Sequence, residues 1–155
     1  VTAGDDLPHI DEHSAEIQVE PAAAWEALLR VVEGSFGSAS TARFARLLGC
    51  EDSEASGPRP LATGSTIPGF HVEAAEPGRW LALGGSHRFS RYALIFRIAE
   101  REGGVALRAE TRAVFPGAKG RAYQALVIGT RVHVLVTRRL LNAVKQRAEA
   151  GAPRT

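Results

Sequence analysis

One cysteine, Cys50, is too few for an internal disulfide framework in a chain of 155 residues. A lone thiol at the end of a helical stretch reads as a packing residue in a reducing compartment. No stretch approaches 18 consecutive apolar residues, so no membrane span is expected. The start, Val1-Thr2-Ala3-Gly4-Asp5-Asp6, is acidic where a signal peptide carries positive charge ahead of an apolar run. Together these absences read as a cytoplasmic protein. The glycine pairs Gly84-Gly85 and Gly103-Gly104 lack the strand-to-helix setting of a phosphate loop. Ser35 and Ser86-His87-Arg88 have no Asp or second His at readable spacing, which leaves a hydrolase triad unsupported. His9-Ile10-Asp11-Glu12-His13 fits H-x-x-E-H, but that chemistry needs both histidines on one helix face, and these lie beside Pro8 at the entry to a strand. Four metal ligands cannot be assembled around Cys50, so no metal and no cofactor is expected, beyond an adventitious surface contact by His9 and His13.

What is present is ordinary globular composition, 45% hydrophobic and 23% charged. The length suits one domain, residues 1–155, able to bury about 68–70% of its unfolded surface, with loose tails at 1–8 and 150–155. The net charge of +2 hides a gradient. Residues 1–60 carry 11 acidic against 4 basic side chains, 61–115 carry 5 against 7, and 116–155 carry 1 against 8. The simpler reading is mutual screening between an acidic N-terminal segment and a basic C-terminal helix. The sharper one is a basic surface for an acidic partner. Nucleic acid is not expected, because Arg121, Arg131, Arg138, Arg139, Lys145 and Arg147 have no interleaved aromatics and no nucleic-acid fold signature.

From Ile10 to Glu20 the pattern alternates, with Ala15, Ile17 and Val19 on one face, which predicts a half-buried strand. Pro21 then opens a helix whose stripe is Trp25, Leu28, Leu29 and Val32, ended by Gly34 and Gly37. Ser40 or Thr41 caps a second short helix through Leu48, and residues 49–60 read as an exposed loop. Five short apolar or alternating runs follow, at 61–67, 70–75, 80–85, 92–99 and 105–115, separated by turn signals about every 10 residues, as in an antiparallel meander. Tyr92, Leu94, Phe96 and Ile98 on one strand, and Val105, Leu107, Ala109, Thr111 and Ala113 on the next, should face inward.

After Phe115-Pro116-Gly117 the chain is predicted helical to about Glu149 without interruption, roughly 45 Å at 1.5 Å per residue. A helix of that length must lie across the sheet. Its polar sector holds Gln124, Arg131, Arg138, Asn142, Lys145, Gln146 and Glu149. The opposite arc holds Ala122, Leu126, Gly129, Val136, Leu140 and Val144, with His133 in the middle and Thr137 one turn on. A histidine there is either a satisfied core residue, bonded to Thr137 or a strand side chain, or a polar anchor in an apolar cavity. Gly129 in a helix interior costs about 1 kcal/mol relative to Ala, which makes sense where space is needed beside it.

The segment from Glu16 to Leu28, an alternating strand running into a Pro- and Trp-containing helix, resembles the opening of the START-related SRPBCC superfamily. The order strand, two helices, meander and long helix is similar to that superfamily's helix-grip fold from about Ile10 to Glu149. The resemblance implies an α+β fold, a curved antiparallel sheet wrapped around a long C-terminal helix, with two short helices after the first strand and an apolar cavity between sheet and helix. It implies a small hydrophobic ligand, lipid or polyketide-like. It carries over no catalytic residue. The positions matching the cavity lining are His133, Gly129, Thr137, Tyr92, Phe96 and Thr111. Three functions stay open: a binder of a small hydrophobic or aromatic molecule; a cyclase, aromatase or dehydrase with His133 as acid or base and Tyr92 or Thr111 within reach of it; and an interaction module using the basic helix face.

Overall fold

The computed structural model describes residues 4–129 and 131–152, so of the tails expected at 1–8 and 150–155, residues 1–3 and 153–155 lie outside the described residues. The strands are β1 (His9–Ile17), β2 (Thr66–Ile67), β3 (Phe70–Glu76), β4 (Trp80–His87), β5 (Ser90–Arg101) and β6 (Gly104–Val114). They form one antiparallel sheet in the order β1-β6-β5-β4-β3-β2. The helices are α1 (Pro21–Phe36) and α2 (Ala39–Leu48) after β1, then α3 (Gly117–Val127) and α4 (Val132–Ala150) at the C-terminal end. No helix among the described residues is long and apolar enough to cross a membrane.

Local chemistry explains most of the element bounds. Pro21 sits in the first turn of α1, where its missing N–H costs nothing, and Ala24, Trp25, Leu28, Leu29 and Val32 are its buried stripe. The helix runs through Gly34 and ends where the Gly37 amide donates to the Glu33 carbonyl at 2.8 Å. The cap of α2 is Ser38 rather than Ser40 or Thr41: its hydroxyl accepts from the Thr41 amide at 3.1 Å. The run at 61–67 yields only the two residues of β2. Before it, the buried Ser65 hydroxyl donates to the Pro58 carbonyl and accepts from the Ala62 amide, holding a loop in place of a strand.

The core lies between the concave face of the sheet and the helices α1 and α4. It is built from Ile17, Leu81, Leu83, Phe96, Leu107 and Ala109 of the sheet, Leu28 and Val32 of α1, and Leu140, Leu141, Val144 and Ala148 of α4. A second, smaller cluster occupies the convex face. Residues 4–8 pack there instead of trailing free, with Leu7 buried on Ala82, Ala93 and Ile95 and Asp6 paired to Arg91 at 2.9 Å.

The uninterrupted C-terminal helix is corrected by the structure. The chain leaves α3 at Ile128, and Arg131 takes a left-handed backbone (φ 58°), which no α-helix continues through. The break resets the helical phase. Leu126 and Val136, placed inward by a single continuous helix, are 65% and 43% exposed, while Leu140 and Val144 are buried.

A register shift between His9 and Asp11 in β1 has a further consequence. His9 turns to the convex face and meets Glu110, whereas Asp11 and His13 pair with Thr111 and Ala109 and share their concave face. The two histidines of H-x-x-E-H therefore lie on opposite sides of the sheet and cannot share a metal.

On the convex face the buried Glu110 carboxylate accepts from Arg97 (2.8 Å) and Arg112 (2.6 Å) and lies 3.1 Å from His9 Nδ1. Burial alone would raise its pKa, but these hydrogen bonds and the Arg112 charge outweigh it and hold the carboxyl at about 2, below its ordinary 4.5. A depressed carboxyl stabilises the fold above its unfolded pKa, and that contribution fades as pH falls from about 4.5 to about 2. Glu110→Gln is expected to lower the urea midpoint at neutral pH and to flatten its acid limb across that window. A variant whose acid limb matches the parent would show that Glu110 is not a source of the acid sensitivity.

Candidate functional site

Between the concave sheet, α2, α3 and the first turns of α4, the core stops short and leaves an open cavity of about 430 Å³. It opens where α4 is least buried: Val132 and Val136 line it yet remain 52% and 43% exposed. The break at 128–131 borders this opening, with Val127, Ile128 and Val132 in the lining.

One end of the cavity is aromatic. Phe70 contacts Phe36 and Tyr92 (ring centroids 5.0 and 5.3 Å), and His87 contacts Tyr92 and Tyr123 (5.5 and 4.8 Å). Tyr92 lies beside Gly85, where a Cβ would meet the Gly69 carbonyl at 2.3 Å and the Tyr92 ring at 2.5 Å, so a side chain there would displace the tyrosine. The Tyr92 hydroxyl donates to the Gly69 carbonyl at 2.6 Å, and burial raises its pKa. Burial likewise pushes the Cys50 thiol up, away from a reactive thiolate. His87 accepts from the Phe89 amide through Nδ1 (3.1 Å), which puts its proton on Nε2, facing the buried Ser90 hydroxyl at 3.2 Å. Burial lowers its pKa below the ordinary 6.5.

The other end carries the ionisable groups. His133 lines the cavity, and its Nε2 lies 2.7 Å from Asp11 Oδ2. His13 Nε2 reaches the same oxygen at 3.1 Å. Asp11 Oδ1 and His133 Nδ1 are buried without a hydrogen-bond partner. A carboxylate that takes the Nε2–H fixes the tautomer and leaves Nδ1 as the free lone pair, the arrangement that orients a general base. No group of three or more His, Cys, Asp or Glu side chains among the described residues is placed to hold a metal ion.

Of the six positions read from the sequence, His133, Thr137, Tyr92 and Thr111 are in the cavity lining. Phe96 is not; it is wholly buried in the core between Leu81 and Ala109. Gly129 is not either; it is an exposed residue of the break. Neither Tyr92 nor Thr111 bonds to His133, and the Thr137 hydroxyl donates to the His133 carbonyl at 2.8 Å rather than to its ring. The partner is Asp11, which sequence reasoning missed. Stepping the alternation of β1 back from Ile17 and Ala15 reaches His13 and Asp11, so the signal was present in the strand period.

No family model and no curated protein matches the chain. Solved structures do. Protein MLL2253 from Mesorhizobium loti is 15% identical, with 94% of this chain and 100% of that one covered and a TM-score of 0.56. The di-domain ARO/CYC StfQ from the steffimycin biosynthetic pathway is 12% identical over 92% of this chain, with a TM-score of 0.59; this chain spans 52% of it. Ara h 8.0201 is 10% identical, with 91% and 97% covered and a TM-score of 0.52. The chain has the helix-grip fold. At these identities the likeness is one of architecture, and the chemistry of the helix-grip cavity must be argued from its own residues.

Because burial lowers its pKa, His87 is expected to titrate below 6.5 in a two-dimensional NMR pH series, with its Nε2-protonated tautomer visible throughout the neutral range. A midpoint at or above 6.5 would mean that the aromatic end is open to water.

Proposed function

We propose that the chain binds a small apolar or aromatic molecule, lipid or polyketide-like, in the cavity between the sheet and α4. The observation that carries this is the cavity itself: about 430 Å³ lined by Phe, Tyr, Leu, Ile and Val side chains with few polar groups, which is the size and chemistry of small-molecule sites. Tyr92, Thr111, His133 and Thr137 are the polar members proposed to contact the ligand. Structural neighbours include an ARO/CYC protein of a biosynthetic pathway, which supports a cavity-based function for this architecture without specifying one.

A second reading, in which His133 acts as acid or base on the bound molecule, is favoured by one observation: the 2.7 Å contact to Asp11 orients its ring at the cavity wall.

The test is native mass spectrometry of the purified protein, followed by thermal shifts with a fatty acid, a sterol and a polycyclic aromatic. A ligand present at about 100 times its dissociation constant should stabilise the fold by about 2.7 kcal/mol. Ala113→Phe, which places a ring in the lining, should abolish that shift. His133→Ala should weaken binding, and by taking the 2.7 Å partner from Asp11 it should lower the stability of the unliganded fold by about 1–3 kcal/mol. No co-purifying ligand and no shift with any class, together with destabilisation beyond that range in His133→Ala, would make His133 an ordinary core histidine and the cavity unused.

A further inference from the structure

Charge and apolar exposure coincide at the cavity mouth. The large apolar side chains that stand exposed among the described residues are Phe44 (58%) and Leu47 (73%) of α2, Leu126 (65%) of α3, and Val132 (52%), Leu135 (51%) and Val136 (43%) of α4. Phe44, Val132 and Val136 line the cavity, and Leu47, Leu126 and Leu135 each stand one turn after a lining residue, Phe44, Tyr123 and Val132, so the set borders its mouth. On α4, Val132, Leu135, Val136 and Arg139 recur at i, i+3, i+4 and i+7 along one stripe, and on α2 Arg43 stands one turn before Leu47.

The same helices carry one acidic residue, Glu149 at the far end of α4. Neither α2 nor residues 117–148 contain an acidic residue. Arg46 is held by Glu54 at 3.4 Å, while Arg43, Lys119, Arg121, Arg131, Arg138 and Arg139 are exposed and have no carboxylate partner among the described residues. The screening by the acidic N-terminal segment that the charge gradient suggests does not reach them. Asp5 and Asp6 lie instead at Arg112 and Arg91 on the convex face.

We propose that the rim formed by α2, α3 and the first turns of α4 is a docking surface for an anionic lipid bilayer, with Phe44, Leu47, Leu126 and Leu135 entering the headgroup region and the unpaired arginines meeting lipid phosphates. Exposed apolar side chains beside unpaired basic ones are the pattern that holds a peripheral protein at a negatively charged leaflet. A second copy of the chain fits poorly, because its arginines would face those of the first. The mouth would open onto the bilayer, which gives an apolar molecule a path into the cavity that avoids water.

The test is sedimentation of the full chain with vesicles, without added ligand, so that it can succeed even if the cavity binds none of the molecules offered above. Phosphatidylcholine vesicles with about 30% phosphatidylglycerol should retain the protein at least about tenfold better than phosphatidylcholine alone, and raising NaCl from about 0.05 to about 0.5 M should weaken retention. Two exposed double variants that leave the cavity lining intact separate the contributions: Leu47→Gln with Leu135→Gln, and Arg43→Gln with Arg139→Gln. Each should cut retention several-fold without changing the melting temperature. Retention unaffected by the leucine pair would mean adsorption by charge alone and overturn the proposal. So would an absence of vesicle binding combined with binding to polyglutamate, which would assign the rim to an acidic protein.

Discussion

Leu140, Leu141, Val144 and Ala148 anchor the second half of α4 against α1 and the sheet, and the rest of the site follows from that anchorage being confined to one half. Each of the leucines and the valine contributes about 1.5–3 kcal/mol on burial, enough for one helix face to fix the helix on the sheet. The first half has no equivalent. Val132, Leu135 and Val136 stay exposed, and His133 ties that half to β1 through the polar contact with Asp11, so the space beside it is left open as the cavity. The apolar positions of α4 thus both close the core and define where it stops.

The same division explains why α3 exists as a separate helix. A straight continuation of α4 would run past the cavity mouth, whereas the left-handed Arg131 lets the chain turn and place Tyr123 against His87 and Phe89. Gly120 fits beneath: a Cβ there would come within 2.7 Å of the Phe115 backbone. A non-glycine residue in the left-handed region costs on the order of 1–2 kcal/mol, which the ring contacts of Tyr123 can offset.

The strands, the turns and α1 were legible because their signals are local. Alternation in 92–98 and 105–113, Pro-Gly turns, and Pro21 ahead of a helical stripe each specify structure within a few residues. The break in the C-terminal helix was not, since residues 128–131 contain no proline and Gly129 alone is a weak breaker; tertiary contacts of Tyr123 and Gly120 decide it. Phe96 and Ala109 were correctly placed inward, but facing inward did not distinguish core from cavity wall, which depends on how far along the sheet the helix packs. Asp11 was hidden for a different reason. The alternation of β1 puts it on the face of Ile17, Ala15 and His13, while the H-x-x-E-H pattern drew attention to His9, which a register shift invisible in sequence sends to the other face.

Hydrogen bonding inside the cavity bears on how it would select the ligand proposed for it. The Tyr92 hydroxyl is committed to Gly69, that of Thr137 to the backbone of its own helix, and the Ser90–His87 pair to itself. A polar group already bonded to protein offers a ligand little net gain, because the new bond replaces an old one. Selection over most of the wall would therefore rest on shape and apolar area, which discriminates weakly between molecules of similar size. His133 is one group not so committed, since its Nδ1 is buried and unpartnered while Asp11 holds the opposite nitrogen. A buried acceptor without a partner costs free energy that a ligand could recover only if the ring shifts enough to expose it. Asp11 and His13 hold the opposite side of that ring, so under either proposed reading the carboxylate of β1, rather than a residue of the cavity wall, would govern whether His133 could exchange a proton with a bound molecule.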